Sequence, residues 1–255
     1  MSGVALVAHQ FRFDQKIFWR NPASVFFTAV FPLLFLFIFA TFFKNADIQG
    51  LDVNGATYYV PAIVALAVIS ATTVKLAMNL SSEREAGTLK RVRGTPLPPS
   101  VFVAGRVGNS LVISLILVVL VSVIGAVFYG VSIPIETMPA VVVTLAVGAA
   151  SFCCLGFALA AVIPSEDAAP AVTNAIVFPL YFLSGVFVPE DEIPNGVLHF
   201  ADIFPVRHFF EAFFSAWDPN TSGAGFELGD LAVVAAWGVF GLLIAVRFFR
   251  WEPRR

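Results

Sequence analysis

The feature that most constrains this chain is an apolar stretch from Ser24 to Phe43 that contains no charged side chain. In hydrocarbon no water satisfies the backbone, so such a stretch is stable as a helix, and about 20 helical residues cross a bilayer. Five further stretches are long and apolar enough to do the same. The sequence therefore predicts six transmembrane helices, at residues 24–43, 58–80, 103–129, 140–163, 171–188 and 231–249.

The composition agrees with a membrane protein. Of the 255 residues, 58% are hydrophobic and 13% are charged, whereas soluble domains carry about 25% charged residues. Residues 1–20 contain too many charges for the apolar core of a signal peptide, so we expect the first span to be retained. We predict an all-α membrane protein with a single domain over residues 1–255, in which the adjacent Cys153 and Cys154 are small apolar filler.

The lysines and arginines fall mostly on one side of these spans. Because cytoplasmic segments are enriched in basic residues, both termini are expected in the cytoplasm. As a separate expectation, the multi-pass protein is placed in a bacterial or archaeal plasma membrane. Residues 81–100 are then cytoplasmic and residues 189–230 lie outside. The residues that set this orientation are Arg12, Lys16, Arg20, Arg84, Lys90, Arg91, Arg93, Arg106, Arg247, Arg250, Arg254 and Arg255.

Two segments are not expected to span the membrane. Residues 1–22 place His9, Arg12 and Lys16 on one helical face, which predicts an amphipathic helix in the cytoplasmic interface. Residues 189–230 are rich in phenylalanine and interrupted by prolines. This pattern predicts short helices before the last span that dip into the outer leaflet or lie on it.

Lys75 interrupts the second predicted span and leaves two interpretations open. Its long side chain could reach the cytoplasmic headgroups while its helix crosses the bilayer. Alternatively, it has a buried polar role at a helix interface or along a transport pathway. Arg106 lies nearer the membrane edge, and its side chain is expected to reach the headgroups.

Several kinds of chemistry have no support in the sequence. There is no G-x-x-x-x-G-K-[ST] pattern, so no P-loop for nucleotide phosphates is predicted. No Cys/His spacing is typical of zinc, and structural roles are expected for His9, His199 and His208. Ser184 could serve an intramembrane hydrolase only with a base in reach, and the spans contain no histidine. We expect no enzyme activity, no metal or cofactor in this chain, and no nucleic-acid partner.

The cytoplasmic segment "LSSEREAGTLKRVRGTPLPPS" is typical of a short, stiff element. Ser82 and Glu85 have the spacing of a capping box, which predicts a helix start there. Gly87 permits a bend, and Thr88 can cap the helix that follows. Leu89 is expected to offer an apolar side chain to a partner, and the prolines end the element.

Four stretches, in this order, resemble one family. They are "RNPASVFFTAVFPLLFLFIFATFF", "EREAGTLKRVRGTPL", "FPLYFLSGVFVPEDEIP" and "FPVRHFFEAF". Together they resemble the ABC-2 type permeases, the transmembrane subunits of ABC exporters, and most closely the daunorubicin-resistance type. The resemblance covers essentially the whole chain and implies the six-span fold of type V ABC exporters.

This resemblance also implies that the chain transports in concert with other chains. It implies two copies of an ABC ATP-binding subunit, which would hold ATP and magnesium, and a second permease chain, identical or related. The segment 81–100 would be a coupling helix that docks on the ATP-binding subunit. The residues assigned to this contact are Glu83, Arg84, Glu85, Gly87, Thr88, Leu89, Lys90, Arg91, Arg93 and Pro96.

A substrate pathway is expected between the two permease chains, lined by the first, second and fifth spans. The expected lining residues are Phe35, Thr72, Thr73, Asn79, Asn174, Phe178, Tyr181, Phe182 and Ser184. The aromatic spans suit a hydrophobic or amphiphilic substrate, such as a drug, lipid or polyketide. Permeases for polysaccharide or ion export share this layout, and a secondary transporter that needs no ATPase is a further alternative.

Overall fold

The computed structural model describes residues 3–43, 47–48, 53–188, 193–221, 223–249 and 251–252. Over these residues the chain is mostly helical, with one short antiparallel strand pair in which Asp47 lies opposite Asn54. In chain order the elements are α1 (Gly3–Trp19), α2 (Pro22–Phe42), β1 (Asp47–Ile48), β2 (Val53–Asn54), α3 (Gly55–Ile69), α4 (Lys75–Glu85), α5 (Thr88–Arg93), α6 (Pro99–Tyr129), α7 (Met138–Val162), α8 (Ala169–Leu183), α9 (Asn195–Ala201), α10 (Pro205–Trp217) and α11 (Leu228–Phe248). A π-helical turn, Ser70–Val74, joins α3 to α4.

The segments of transmembrane length agree with most of the predicted spans. Among the described residues, five helical segments are long and apolar enough to cross a membrane. They are Pro22–Phe42, Gly55–Glu85, Pro99–Tyr129, Met138–Val162 and Leu228–Phe248. The second extends five residues beyond the predicted end at residue 80, and the third starts four residues before residue 103.

The fifth predicted span, 171–188, is the exception. Its helix, α8, ends at Leu183 and has 15 residues, which is less than the roughly 20 that a straight crossing needs. The helix stops because the chain turns at Gly185, where φ is +82°. After this turn Val186 and Phe187 enter the protein core, and the Gly185 carbonyl accepts a hydrogen bond from the Tyr58 hydroxyl.

The segment Gly55–Glu85 is the central helix of the bundle. In its most apolar stretch of 18 residues, 83% is buried inside the protein, whereas the corresponding share in Pro22–Phe42 is 18%. Its α3 portion packs against α2, α6, α7 and α10. The Asn54 side chain starts this helix by accepting a hydrogen bond from the backbone N–H of Thr57, at 2.9 Å. The polar groups on this helix are therefore placed mainly against other helices.

The helix α10 packs into the protein core, and whether it also dips into the outer leaflet stays a prediction. Phe209, Phe210, Phe213 and Trp217 are each at most 2% exposed and belong to the main hydrophobic core. The interfacial prediction missed this because apolar side chains suit both lipid and a protein core. The short helices α9 and α10 do precede α11, as expected.

The N-terminal helix α1 forms as predicted, but its position at a membrane interface stays a prediction. It packs along α6, where the Gln10 side chain lies against Gly105. A Cβ atom at Gly105 would come within 2.5 Å of Gln10 Cγ, so a larger residue there would force the Gln10 side chain to shift. Val4 and Phe13 are exposed at 81% and 56%, and Asp14 is buried instead.

The helices α7 and α11 pack closely through glycines. A Cβ atom at Gly238 would lie 2.6 Å from Ser151 Oγ and 2.8 Å from Ser151 Cα. At Gly241 it would lie 2.9 Å from the Leu155 backbone nitrogen. Small residues at such positions let helix backbones approach in a membrane, where packing contributes much of the association energy.

We expect Gly238→Ala to separate α7 from α11 and to lower the free energy of unfolding by about 1–3 kcal/mol, the range for overpacked sites. Thermal unfolding of the purified protein measures this change. Gly229→Ala, on the same helix with no atom within 4 Å of the added Cβ, is the matched control. Equal melting temperatures for the two variants would contradict the packing described.

Candidate coupling elbow and membrane groove

The helix α4 and the short helix α5 form a bend, named here the coupling elbow and spanning residues 83–96. The bend is made at Gly87, which adopts φ +69°, a left-handed conformation that glycine takes without steric cost. The expected bend is therefore present. The expected capping box is wrong, because α4 runs through both Ser82 and Glu85 rather than starting there.

The two residues of the supposed capping box instead bind the loop between α7 and α8. The Ser82 hydroxyl donates to Glu166 Oε1 at 2.8 Å, and Glu85 Oε1 accepts from the Glu166 backbone N–H at 2.6 Å. Thr88 does not cap α5 either, since Gly87 occupies the N-cap position without a side-chain hydrogen bond. The end of α4 is thus attached to the α7–α8 loop.

Arg84 has a different role from the one predicted. Its side chain is 1% exposed and donates to the carbonyl oxygens of Ala160 and Ile163, at 3.0 and 2.7 Å. These carbonyls lie at the C-terminal end of α7, where a cation also compensates the helix dipole. Arg84 therefore fixes α4 to α7 and is not placed to contact another protein.

Leu89 is also inside the protein. It is fully buried and packs in a cluster that includes Leu80 and Phe102. The prediction of an apolar contact for a partner is therefore wrong at this position. Leu89 instead holds α5 against the ends of α4 and α6.

A charged network anchors Glu83. The Arg106 guanidinium on α6 lies 2.6 Å from the Glu83 carboxylate and 3.7 Å from Asp14 Oδ1 on α1. Gln10 donates a further hydrogen bond to Asp14 at 3.1 Å. Burial raises the pKa of Asp14, and the nearby Arg106 opposes that rise. Arg106 is 8% exposed, so the expectation that it reaches the headgroups is wrong.

The remaining surface of the elbow is exposed and basic. Lys90 lies 3.8 Å from Glu252 in an exposed ion pair, which contributes little to stability. Arg91 and Arg93 project from the same short helix. The exposed residues of the predicted contact are Glu85, Thr88, Lys90, Arg91, Arg93 and Pro96.

Four of the predicted lining residues are buried in the protein interior. Thr73 donates to the Phe152 carbonyl at 3.0 Å, and Thr72 donates to the Val68 carbonyl at 2.7 Å. Ser184 donates to the Tyr181 carbonyl at 3.1 Å. These hydroxyl groups donate to backbone carbonyls within this chain. Thr73 also lines a cavity of about 260 Å³, and a pathway role for these residues between two permease chains stays a prediction.

The Tyr181 hydroxyl, the fourth of these groups, reaches the π turn. It lies 2.8 Å from Ser70 Oγ. Sequence reasoning missed Ser70, and no periodic signal marks the π turn that orients it. The contact connects α8 to the centre of the second span.

The other five predicted lining residues lie on or near the surface. Phe35 is half-buried, with its ring centroid 5.6 Å from that of Phe187, which in turn lies 4.9 Å from that of Phe182. Phe187 therefore connects the aromatic faces of α2 and α8. The exposed members of the predicted set are Asn79, Asn174, Phe178 and Phe182.

A cavity of about 290 Å³, named here the membrane groove, lies between α2 and the second span. Lys75 lines it, and its Nζ atom donates to Thr28 Oγ1 at 2.7 Å and lies 4.0 Å from the centre of the Phe18 ring. These contacts with α1 and α2 favour a buried polar role over extension to the headgroups. Thr28 was not predicted as a site residue, and no sequence pattern connects it to Lys75.

His208 connects α10 to α11. Its Nδ1 atom lies 2.7 Å from Asp230 Oδ1, and its Nε2 atom lies 2.8 Å from the Asp202 carbonyl oxygen. A neutral imidazole has one N–H, whereas a carboxylate and a carbonyl are both acceptors, so the doubly protonated ring satisfies both. Burial alone would lower the pKa of His208, but these hydrogen bonds outweigh it and raise the pKa.

The same cluster has the residue types of a metal site. Ligand atoms of His208, Glu211 and Asp230 lie within 4.8 Å of one another. Arg207, however, forms ion pairs with Glu211 and with Asp202, and a positive group there opposes a bound cation. The expectation that the chain holds no metal stays a prediction.

Comparison with known proteins decides the family. Residues 6–216 match the family model described as ABC-2 type transporter. The chain belongs to the ABC-2 type transporter family. It is thus a multi-pass membrane protein and a transport permease of an ABC system, and membership implies pairing with an ABC ATP-binding subunit.

Two relatives agree with this assignment. A Bacillus subtilis (strain 168) protein named as a transport permease, YvfS, is 22% identical over 231 residues, which cover 90% of this ABC-2 permease and 91% of the relative. The ABC transporter G family member 20 of Dictyostelium discoideum is 26% identical over 211 residues, or 81% of this chain. The chain spans 28% of the length of that second relative.

We expect Arg84→Gln to destabilise the permease by about 1–3 kcal/mol, because buried carbonyls at the end of α7 lose a charged donor. Arg93→Gln, in the exposed part of the elbow, should leave the melting temperature nearly unchanged. Thermal unfolding of both variants in the same detergent tests this. A similar loss of stability in both variants would show that Arg84 does not fix α4 to α7.

We expect the stability of the permease to fall as the pH rises above about 6.5, the ordinary pKa of histidine. A His208 pKa raised by folding gives stabilisation that is complete below the ordinary value of about 6.5 and is lost as pH rises through the folded value. His208→Gln should flatten this part of the melting-temperature profile, whereas His9→Gln, at an exposed position of α1, should retain it. An unchanged slope in His208→Gln would contradict this assignment.

Proposed function

We propose that this ABC-2 permease forms the pathway of an ATP-driven exporter for a hydrophobic or amphiphilic substrate. The coupling elbow would receive the motion of a separate ATP-binding subunit. One observation carries this proposal. The buried side of the elbow is bonded to the helix bundle, while its basic side is exposed. A drug, a lipid or a polyketide fits the proposed substrate class.

The contacts of the elbow suggest how a movement spreads. Arg84 connects it to α7, and Glu83 connects it through Arg106 to α6 and α1. Glu85 connects it to the loop before α8. A displacement of the exposed side would therefore move these helices together, as a transition between inward-open and outward-open states requires.

The π turn supplies a place where the second span can change shape. Its hydrogen bonds are those of a wider helix, and such turns recur at functional positions. It lies between α3, which is held in the core, and α4, which carries the elbow. In this proposal the elbow moves while α3 stays in place, and the Ser70–Tyr181 contact brings α8 along.

The remaining parts of the proposal concern assembly. Two permease chains, identical or related, would enclose the pathway with two ATP-binding subunits below them, where ATP and magnesium are held. The exposed faces of α2 and α8 would meet the pathway or the second permease. With the non-helical residues 184–188, α8 would complete a sixth crossing and leave both termini in the cytoplasm of a plasma-membrane protein.

The exposed arginines of α5 give the sharpest test of coupling. We expect Arg91→Glu to weaken docking of the ATP-binding subunit by about tenfold, or about 1.4 kcal/mol, since arginine is enriched among the residues that dominate interface energies and this change reverses its charge. Substrate-stimulated ATPase activity of the purified complex and the amount of co-purified ATP-binding subunit are the measurements. Substitution of Leu89 is unsuitable, because it would disturb the core.

Arg12→Glu is the matched control, since Arg12 is an exposed arginine of α1 outside the elbow. It should retain both co-purification and stimulated ATPase activity. Normal coupling in Arg91→Glu, with the melting temperature unchanged, would contradict docking at this surface. Transport that continues without any ATP-binding subunit would instead favour a secondary transporter.

A further inference from the structure

Two cavities meet at Lys75. Next to the membrane groove of about 290 Å³ lies a second cavity of about 170 Å³, named here the cytoplasmic cavity, between α1, α4 and α6. The residues that line both are Ser24, Ala71, Lys75 and Asn79. Lys75 therefore borders both the cavity beside Glu83 and the groove at the middle of the second span.

The two cavities differ in chemistry. The cytoplasmic cavity is lined by Asp14, Glu83 and Arg106. The membrane groove is lined mainly by apolar groups, among them Phe31 and Met78. Phe31 is 43% exposed, so this groove opens on the outer surface of the bundle. Together the two linings suit a molecule with one charged end and one apolar end.

The ammonium group of Lys75 is available to such a charged end. Among the described residues no carboxylate lies within ion-pair distance of Nζ, which donates to the neutral Thr28 hydroxyl and lies over the Phe18 ring. An ammonium group has three donors, and a cation within a membrane helix is costly unless it finds an anion or water. The hydrogen bond to Thr28 uses one of these donors and leaves the others available to a ligand.

The nearby carboxylates do not serve as the anionic partner of Lys75. Glu83 and Asp14 are both held by Arg106. Asp14 Oδ2 and Asn109 Oδ1 are buried acceptors without a hydrogen-bond partner in the described part of the chain, and they would repel an anion. These acceptors direct a negative group toward Lys75 and Asn79, at the junction of the two cavities.

We propose that this junction binds the anionic group of a phosphate-bearing amphiphile. Lys75 contacts the phosphate, and the apolar chain lies along Phe31, Pro32 and Met78 in the membrane groove. The inference deepens the proposed function and rests on it in one respect, namely that the bound amphiphile is the exported substrate. The binding itself requires only this chain.

Photolabelling of the full permease chain in phosphatidylcholine nanodiscs tests the site. The probes are phosphatidic acid and phosphatidylcholine, each with a diazirine in the acyl chain and present at the same fraction. Phosphatidic acid should label peptides that contain residues 24–32 and 70–79 several-fold more than phosphatidylcholine does. Equal labelling by the two probes would overturn the proposal.

Substitutions of Lys75 separate charge from structure. Lys75→Gln should reduce labelling by the phosphatidic acid probe several-fold, to the level of the phosphatidylcholine probe, while Lys75→Arg should keep most of it. Arg247→Gln removes an exposed cation at the end of α11 and should leave labelling unchanged. Unchanged labelling in Lys75→Gln would overturn the proposal. Unchanged phosphatidylcholine labelling serves as the check that the fold is intact.

A competition arm distinguishes a lipid from a free anion. Millimolar inorganic phosphate should compete poorly, because it makes no contact with the apolar groove. Complete competition by inorganic phosphate would overturn the amphiphile assignment in favour of a simple anion site. Labelling needs no ATP-binding subunit. Its absence would therefore overturn the amphiphile site but would not affect the proposal of ATP-driven transport. The coupling measured in Arg91→Glu tests only the proposal of ATP-driven transport.

Discussion

Two buried guanidinium groups hold together the end of this permease that carries the coupling elbow. Removing an arginine side chain from water is costly unless acceptors meet its donors. Arg84 finds those acceptors at the end of α7, and Arg106 finds them on Glu83 and Asp14. Each contact joins helices that are distant in sequence, so the arrangement of α1, α4, α6 and α7 depends on both arginines.

Much of the helical plan could be predicted from sequence because hydrocarbon imposes a simple rule on long apolar stretches. The helices α2, α6, α7 and α11 were predicted within a few residues. The last part of the fifth predicted span was not, because the turn at Gly185 and the burial of Phe187 depend on tertiary contacts. The core position of α10 was missed for a related reason, since Phe209 would suit lipid equally well.

The candidate site was predicted less completely than the helices. Charge in a cytoplasmic segment suggests exposure, and that reasoning holds for Arg91 and Arg93 but fails for Arg84. The difference is set by the C-terminal carbonyls of α7, some 76 to 79 residues away in the chain. No local sequence pattern indicates a contact between residues so far apart in the chain. The same limit explains why Thr28 and Ser70 were overlooked.

The π turn also sets the rotational phase between the two halves of the second span. Each residue of an α-helix advances the side-chain direction by about 100°. Loss of one residue from Ser70–Val74 would therefore turn Arg84, Glu83 and Lys75 away from their present neighbours while α3 remained unchanged. The length of this short turn, more than its composition, determines which face of the helix meets the rest of the molecule.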